Sequence, residues 1–400
     1  MEPQPTDRNV FILGAGFSAA AGAPLIKDFL DRAREFMDDP SSGLEEDERG
    51  YFKDVFEFRR RMAQAREKVS IDLDNLEELF GLVEVTRRLG GDEQRTRDAT
   101  VYMIAKTLEL AVKPGGLGRR PIHFDVKPEF MGEFETANRH GLFQQMRGYA
   151  AGVFGADIYH YFAALACGIF DDPRRLRARA STFITFNYDL ILDHALQGLQ
   201  IQPDYQLDPS LLQTLDLPAA ERKCLLLKLH GSANWGVCGG CGERVLVLRE
   251  KVSDSPREFQ SRTCEKCHKQ QFQPLLIPPS WDKSEYHSIM TPVWAKAVAE
   301  LKAATRICII GYSMPPSDLF FKYLLTMALA QNHGLYKLLV VDRNQPSSQL
   351  EKRYDQLLEP LFRERRFSFR KDGFEFFFGS GGGALSALGR GEMLGGNIGF

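Results

Sequence analysis

The chain has 400 residues, 44% hydrophobic and 26% charged, with a formal net charge of −2. That length and composition allow two or three compact units around a sizeable core. The missing basic surplus argues against direct nucleic-acid binding, and no segment reads as a membrane span. Basic runs such as Arg59-Arg60-Arg61 read as solvated helix faces. The apolar run Val10–Ile26 superficially resembles a signal peptide, but Glu2, Asp7 and Arg8 precede it, and Gly14, Gly16 and Gly22 interrupt it. Seven cysteines cannot form a complete disulfide set. Two CxxC pairs then point to metal in a reducing, cytoplasmic setting.

Residues 9–15 form an apolar run ending in glycine, the pattern of a buried parallel strand, and Pro24–Met37 reads as a helix. From residue 42 to 170 the spacing of charged and apolar residues is helical, over Glu45–Lys68, Leu76–Leu89, Asp98–Val112 and Leu142–Phe170. Strand signals return at Ser181–Phe186, Cys224–Leu229, Arg306–Ile310 and Lys337–Val341. Helices are expected between and after them at Leu190–Gln200, Val293–Ala303, Ser317–Ala330 and Gln349–Leu361. This alternation predicts an α/β fold with a doubly wound, mostly parallel Rossmann-like sheet. That domain spans 1–41 and 171–366, with a helical insertion at 42–170 and a small zinc-binding module at 236–272. Residues 367–378 alternate as an edge β segment, read as a hairpin around Asp372-Gly373. Residues 379–400 hold nine glycines and read as a flexible tail.

Three loops at strand ends carry candidate chemistry. Gly14-Ala15-Gly16-Phe17-Ser18-Ala19 fits a G-x-G-x-x-A phosphate-binding turn, in which glycines admit a phosphate and a helix N-terminus offers N–H donors. A tight turn that binds nothing would look the same. A dehydrogenase would also need an acidic residue about twenty positions on, ending a second strand. Asp38 and Asp39 lie near that spacing but follow a helix and precede Pro40. Asn187 and Asp189 follow the second strand signal, and His230 in Leu229-His230-Gly231-Ser232 follows the third. The Asn187 amide suits a water or a ribose hydroxyl, Asp189 suits developing positive charge, and His230 suits a general base. Alone, Asp189 reads as a helix cap and His230 as a structural histidine. In a doubly wound sheet, loops at the carboxyl ends of strands converge on one crevice.

Cys238-x-x-Cys241 and Cys264-x-x-Cys267 are separated by 22 residues, a spacing that suits a closed, structural Zn²⁺ site with four thiolates. Cys167, Cys224 and Cys308 lie in apolar runs and read as core.

Taken together, the order Gly14-Ala15-Gly16-x-Ser18, Asn187-x-Asp189, Leu229-His230-Gly231, two CxxC pairs, Gly311-Tyr312-Ser313 and Asp342-Arg343-Asn344 resembles the sirtuin family over roughly residues 9–30 and 180–345. The resemblance implies NAD⁺ as substrate and a structural zinc. It places Gly14, Ala15, Gly16 and Ser18 at the phosphates and ribose, and Asn187 and Asp189 at the nicotinamide side. His230 becomes the base, Gly311 and Ser313 help hold the dinucleotide, Asn344 sits near the adenosine ribose, and Asp342 is a further cofactor-binding candidate. The chain departs from the family's protein deacylases, which follow the glycine turn with Gly-Ile-Pro-Asp-Phe-Arg. Here Gly22-Ala23-Pro24-Leu25-Ile26-Lys27-Asp28-Phe29 lacks the arginine, and Pro274–Ser280 replaces the stretch that grips the acyl-lysine peptide. These departures resemble divergent bacterial members that act as NAD⁺ hydrolases in anti-phage defence, which implies a homo-oligomer and a partner ATPase or phage-derived activator. Protein-lysine deacylation, ADP-ribosyl transfer and a non-catalytic nucleotide-sensing scaffold are the rival expectations.

Overall fold

The protein was described from a computed structural model covering residues 8–64, 68–89, 93–112, 158–168, 180–213, 222–248, 255–270, 272–278, 286–315, 318–343, 350–359, 363, 366–371, 373–374 and 377. The first strand, β1 (Arg8–Leu13), leads into a four-residue helix, α1 (Ala15–Ser18). Helices α2 (Phe29–Asp38), α3 (Glu46–Ala63), α4 (Leu76–Arg88), α5 (Gln94–Ala111) and α6 (Ile158–Ala166) follow. Next come β2 (Ala180–Thr185), α7 (Ile191–Gly198), β3 (Ile201–Asp204), β4 (Leu212–Gln213), β5 (Arg222–Lys228), β6 (Gly231–Cys238) and β7 (Val245–Val247). The described chain ends with α8 (Ser255–Ser261), β8 (Phe272–Leu276), α9 (His287–Ala303), β9 (Arg306–Ile310), α10 (Leu319–Leu329), β10 (Lys337–Val341), α11 (Leu350–Leu357) and β11 (Phe367–Arg370).

Seven strands form one sheet in the order β11-β10-β9-β1-β2-β5-β3, every neighbouring pair parallel. Val10, Phe11, Ile12 and Leu13 are all buried, which is why β1 reads as a continuous apolar run rather than an alternating one. The chain leaves β1 toward β2 on one side and returns to β9 on the other. The order therefore reverses beside β1, the kind of switch point at whose strand carboxyl ends open α/β sheets bind ligands.

A second sheet, β4-β7-β6-β8, was not legible in the sequence. Its central strand reads Gly-Ser-Ala-Asn-Trp-Gly-Val-Cys, without apolar alternation, and starts on the residue after His230. Two further expectations are corrected. The segment at 367 is an edge strand, parallel to β10, but the hairpin expected around Asp372-Gly373 has no returning strand among the described residues. Phe374 and Phe377 instead lie in helical backbone, where the Phe377 N–H donates to the Gly373 carbonyl. The helix expected at Pro24–Met37 begins only at Phe29, as α2, after a 3₁₀ turn at Ile26–Asp28, and α1 before it passes into a 3₁₀ turn ended by Gly22 at φ 91°. Residues 113–157, with most of the helix expected at Leu142–Phe170, and the glycine-rich tail lie outside the described residues.

Buried ion pairs tie α3–α5 to the rest of the molecule. The Glu48 carboxylate on α3 accepts from the Tyr102 hydroxyl (2.7 Å) and from Arg257 of α8 (3.1 Å), and faces Lys106 at 3.2 Å. Arg97 of α5 donates to Glu84, Gln273 and Tyr286 at 3.1–3.2 Å. Glu48→Ala should cost about 1–3 kcal/mol in urea unfolding, because the buried Tyr102 hydroxyl loses its acceptor and Lys106 keeps only Glu109, at 3.4 Å, of its two carboxylates. Lys53→Ala, which removes the exposed pair with Glu46, should cost well under about 1 kcal/mol. Burial pushes the Glu48 carboxyl up, but the Glu45 N–H, the Tyr102 hydroxyl and Lys106 outweigh it and hold the group below its ordinary 4.5. A carboxyl lowered in the folded state stabilises above that value, and this contribution is lost as pH falls through the lowered one.

Candidate functional site

The glycine turn and the loop after β9 interlock. The Gly14 N–H donates to the Ile310 carbonyl (3.0 Å), and the Gly16 N–H to the Gly311 carbonyl (2.8 Å). A Cβ on Gly311, at φ 61°, would lie 2.3 Å from the Phe17 nitrogen, and one on Gly14 would lie 2.6 Å from the Gly311 oxygen. These glycines are thus required by loop-to-loop packing. Two of the N–H groups expected to face a phosphate already have partners, and the four-residue α1 offers little helix dipole. Gly311→Ala should lower the melting temperature, since the left-handed backbone alone costs a non-glycine residue about 1–2 kcal/mol before the clash. Gly334→Ala, where the nearest atom is the Asn332 Oδ1 at 3.9 Å, serves as the control and should change little.

The loop after β2 closes on that turn. The Asn187 Nδ2 donates to the Gly14 carbonyl and to the Ser18 Oγ, both at 2.8 Å. The Ser18 hydroxyl also faces the Asp189 carboxylate and favours its charged form. Burial pushes the Asp189 carboxyl up, opposed by Ser18, Lys228 and the Ile191 N–H. Asp189 Oδ1 accepts from Ile191 N at 3.1 Å, so Asp189 also braces the start of α7, as the plain helix-cap reading expected. Among the described residues Asn187 Oδ1 makes no hydrogen bond, so the amide's acceptor end is open to a ligand.

The loop after β5 joins the loop after β2. Leu229 N donates to the Thr185 carbonyl and Ala233 N to the Tyr188 carbonyl, both at 2.9 Å. Lys228, fully buried, donates to the Asp189 carbonyl (2.7 Å) and the Ser232 Oγ (2.8 Å) and pairs with Asp193 at 2.8 Å. This lysine escaped the sequence reading because a cation at a strand end normally marks the exit to solvent.

His230, 5% exposed, packs edge-on against Phe186 at 5.4 Å between ring centres. Phe186 stacks on Tyr312 (4.2 Å), and Phe321 of α10 meets both rings edge-on. His230 Nε2 lies 3.8 Å from Asp318 Oδ2. Asp318 and the aromatic cage carried no assignment in the sequence. The only local signal for Asp318 was an acidic residue just before an apolar helix, the pattern of a cap.

Of the remaining candidates, Ala15 and Gly16 are half-buried beside Ser18, which is buried. Ser313 is exposed, and its carbonyl accepts from Arg353 at 2.9 Å. Asp342 lies at the carboxyl end of β10, where its N–H donates to the Arg370 carbonyl. Asn344 lies outside the described residues.

The four cysteines meet as their spacing predicted. A tetrahedral ion with Zn–S bonds of about 2.3 Å sets its sulfurs about 3.8 Å apart. The Sγ atoms of Cys238 and Cys267 are 3.5 Å apart, those of Cys241 and Cys264 are 3.8 Å apart, and all four lie within 4.8 Å of one another. The two knuckles share one backbone form. Gly242 N donates to the Cys238 carbonyl (2.7 Å) and His268 N to the Cys264 carbonyl (2.8 Å), with φ of 67° and 58°. Burial pushes the Cys264 thiol up, but the N–H groups of Cys267 and Lys266 bring it down to about 7, while burial pushes the neighbouring Cys238 thiol up to about 12. The residues fit a structural zinc, with no open coordination position.

Residues 181–364 match the SIR2-like domain. The SIR2-like match takes in Asn187, Asp189, His230, the four cysteines, Gly311 and Asp318, and leaves the glycine turn and α2–α6 outside. No curated protein matches the chain. Among solved structures, one concerning the structural basis of sirtuin substrate affinity is 14% identical, covers 93% of this chain and 92% of its own, and has a TM-score of 0.39. Another, of Sir2 with an inhibitor, 2′-O-acetyl-ADP-ribose and a deacetylated peptide, is 12% identical with coverage of 93% and 90% and a TM-score of 0.35. Among the described residues no helix is long and apolar enough to cross a membrane.

Proposed function

We propose that this protein binds NAD⁺ at the carboxyl ends of β1 and β9 and hydrolyses it to nicotinamide and ADP-ribose. The observation that carries the reading is the meeting of three strand-end loops. Asn187 is hydrogen-bonded into the glycine turn, Asp189 faces Ser18 of that turn, and the His230 loop is tied alongside by backbone bonds. Breaking the nicotinamide–ribose bond develops positive charge on the ribose. The Asp189 carboxylate and the Asn187 amide oxygen can stabilise that charge. His230 takes the proton from the attacking water or a ribose hydroxyl. The glycine turn, Gly311, Ser313, Asp342 and Asn344 are assigned to the rest of the dinucleotide, with Ser18 bridging to the ribose. A role as an NAD⁺-depleting effector in anti-phage defence, as a cytoplasmic homo-oligomer awaiting an ATPase or phage-derived activator, belongs to the same proposal.

The test is incubation of purified protein with NAD⁺, with and without an acyl-lysine peptide. Nicotinamide and ADP-ribose released without peptide support hydrolysis. Product formed only with peptide, as an acylated ADP-ribose, would replace it by deacylation.

A further inference from the structure

His230 faces a carboxylate that no motif singled out. Asp318 is 3% exposed and sits at the N-cap of α10. Its Oδ1 accepts from Phe321 N at 3.2 Å, which completes the cap. Its Oδ2 does something else: it accepts from the Tyr312 hydroxyl at 2.8 Å and lies 3.8 Å from His230 Nε2. A cap alone needs no charge, since serine or asparagine serves as well. A carboxylate this deeply buried costs free energy unless an opposite charge or several donors meet it.

We propose that Asp318 is a positioning residue for His230, holding the imidazole against Phe186 and stabilising the imidazolium that forms when the ring takes a proton. The catalytic consequence rests on reading His230 as the proton acceptor in NAD⁺ cleavage. In that step the proton leaves the water or ribose hydroxyl and ends on the imidazole. Asp318 stays ionised and forms no covalent bond. Tyr312 acts as the modulator, because its hydroxyl bond draws charge from the Oδ2 that faces the ring.

The other ionisable groups near this pair come from several elements. Glu77, in the first turn of α4, bears on both Tyr188 and Tyr312, and Tyr354 of α11 bears on Tyr312. Lys228, two residues before His230, is met by Asp193 and the Asp189 carbonyl. Asp318 differs from these in direct approach to the imidazole.

The measurement is the NMR titration of His230 in the full chain. The protein has eight histidines, so the signal is assigned by its disappearance in His230→Gln. Asp318→Asn keeps the cap and removes the charge, and should lower the His230 pKa by about one unit or more. Tyr312→Phe removes the hydroxyl bond and should raise it, a pair of opposite shifts that a merely structural role would not give. An unchanged His230 titration in both variants overturns the proposal, as does a shift of the same sign in both. If Asp318→Asn fails to fold, Tyr312→Phe decides: a rise supports the pairing, and no change or a fall overturns it. The acid limb of NAD⁺ cleavage should move with the titration in each folded variant. Opposite NMR shifts in a protein that leaves NAD⁺ intact would uphold the pairing and remove only the proposed function.

Discussion

Replacing His230 by alanine should slow NAD⁺ cleavage by about 10²–10⁴-fold, the range for losing a general acid–base group. The imidazole is buried, with its ring edge against Phe186, so the substitution also leaves a small cavity. His230→Gln separates the two effects, because it keeps most of the volume and loses the basicity. Both variants should lose activity to a similar degree, while their melting temperatures differ. A His230→Gln enzyme as active as the parent would rule out a proton-transfer role. Asn187→Ala should be as severe in activity, and it carries a further cost. The Asn187 amide is the bridge to Gly14 and Ser18, so its loss should also raise KM for NAD⁺.

Removing the metal should have the largest effect on the fold. We expect one zinc per chain by elemental analysis, and none in Cys238→Ser combined with Cys264→Ser. Among the described residues, the apolar cluster around the knuckles contains little beyond Leu246, Leu248, Phe259 and Phe272, too few side chains to hold the knuckle end without a cross-link, whereas Trp235, Val245 and Leu275 anchor the rest of the sheet in the main core. Structural zinc supplies about 10–16 kcal/mol in small finger peptides at neutral pH, so the module should open once the ion is gone. The damage should reach the site. β6 begins directly after His230, and Ile277 N, just past β8, donates to the His230 carbonyl at 2.9 Å. Hydrogen exchange should therefore rise across residues 231–238 and 272–276 first and in β1 last, with NAD⁺ cleavage falling in parallel. A zinc-free double variant with native protection in these strands would show that the cysteines are not structural ligands. Acid should have the same effect as chelation, because thiolate ligands must stay deprotonated.

Some of this architecture was already written in the chain. β9 and β10 lie where their apolar runs predicted, since a strand covered on both faces must be continuously hydrophobic. The four cysteines meet because knuckle geometry is local: two residues between thiols and a left-handed residue after them suffice. Asn187, Asp189 and His230 could be named because each ends a strand in a sheet whose loops gather on one side.

Tertiary structure alone decided how those groups are wired. Asp318 lies 88 positions from His230 in sequence and pairs with it only because α10 docks beside β5's loop. The second sheet stayed hidden because polar, glycine-rich β6 is buried by contacts with β7 and β8 rather than by its own pattern. Lys228 could sit in the core only because Asp193 and two oxygens wait there. The glycines of the turn owe their identity to a loop almost three hundred residues away, and no local spacing encodes such an approach. Pattern and local turn geometry report what a residue's neighbours in sequence require. Burial of charge and the close passage of two backbones depend on partners that only folding brings together.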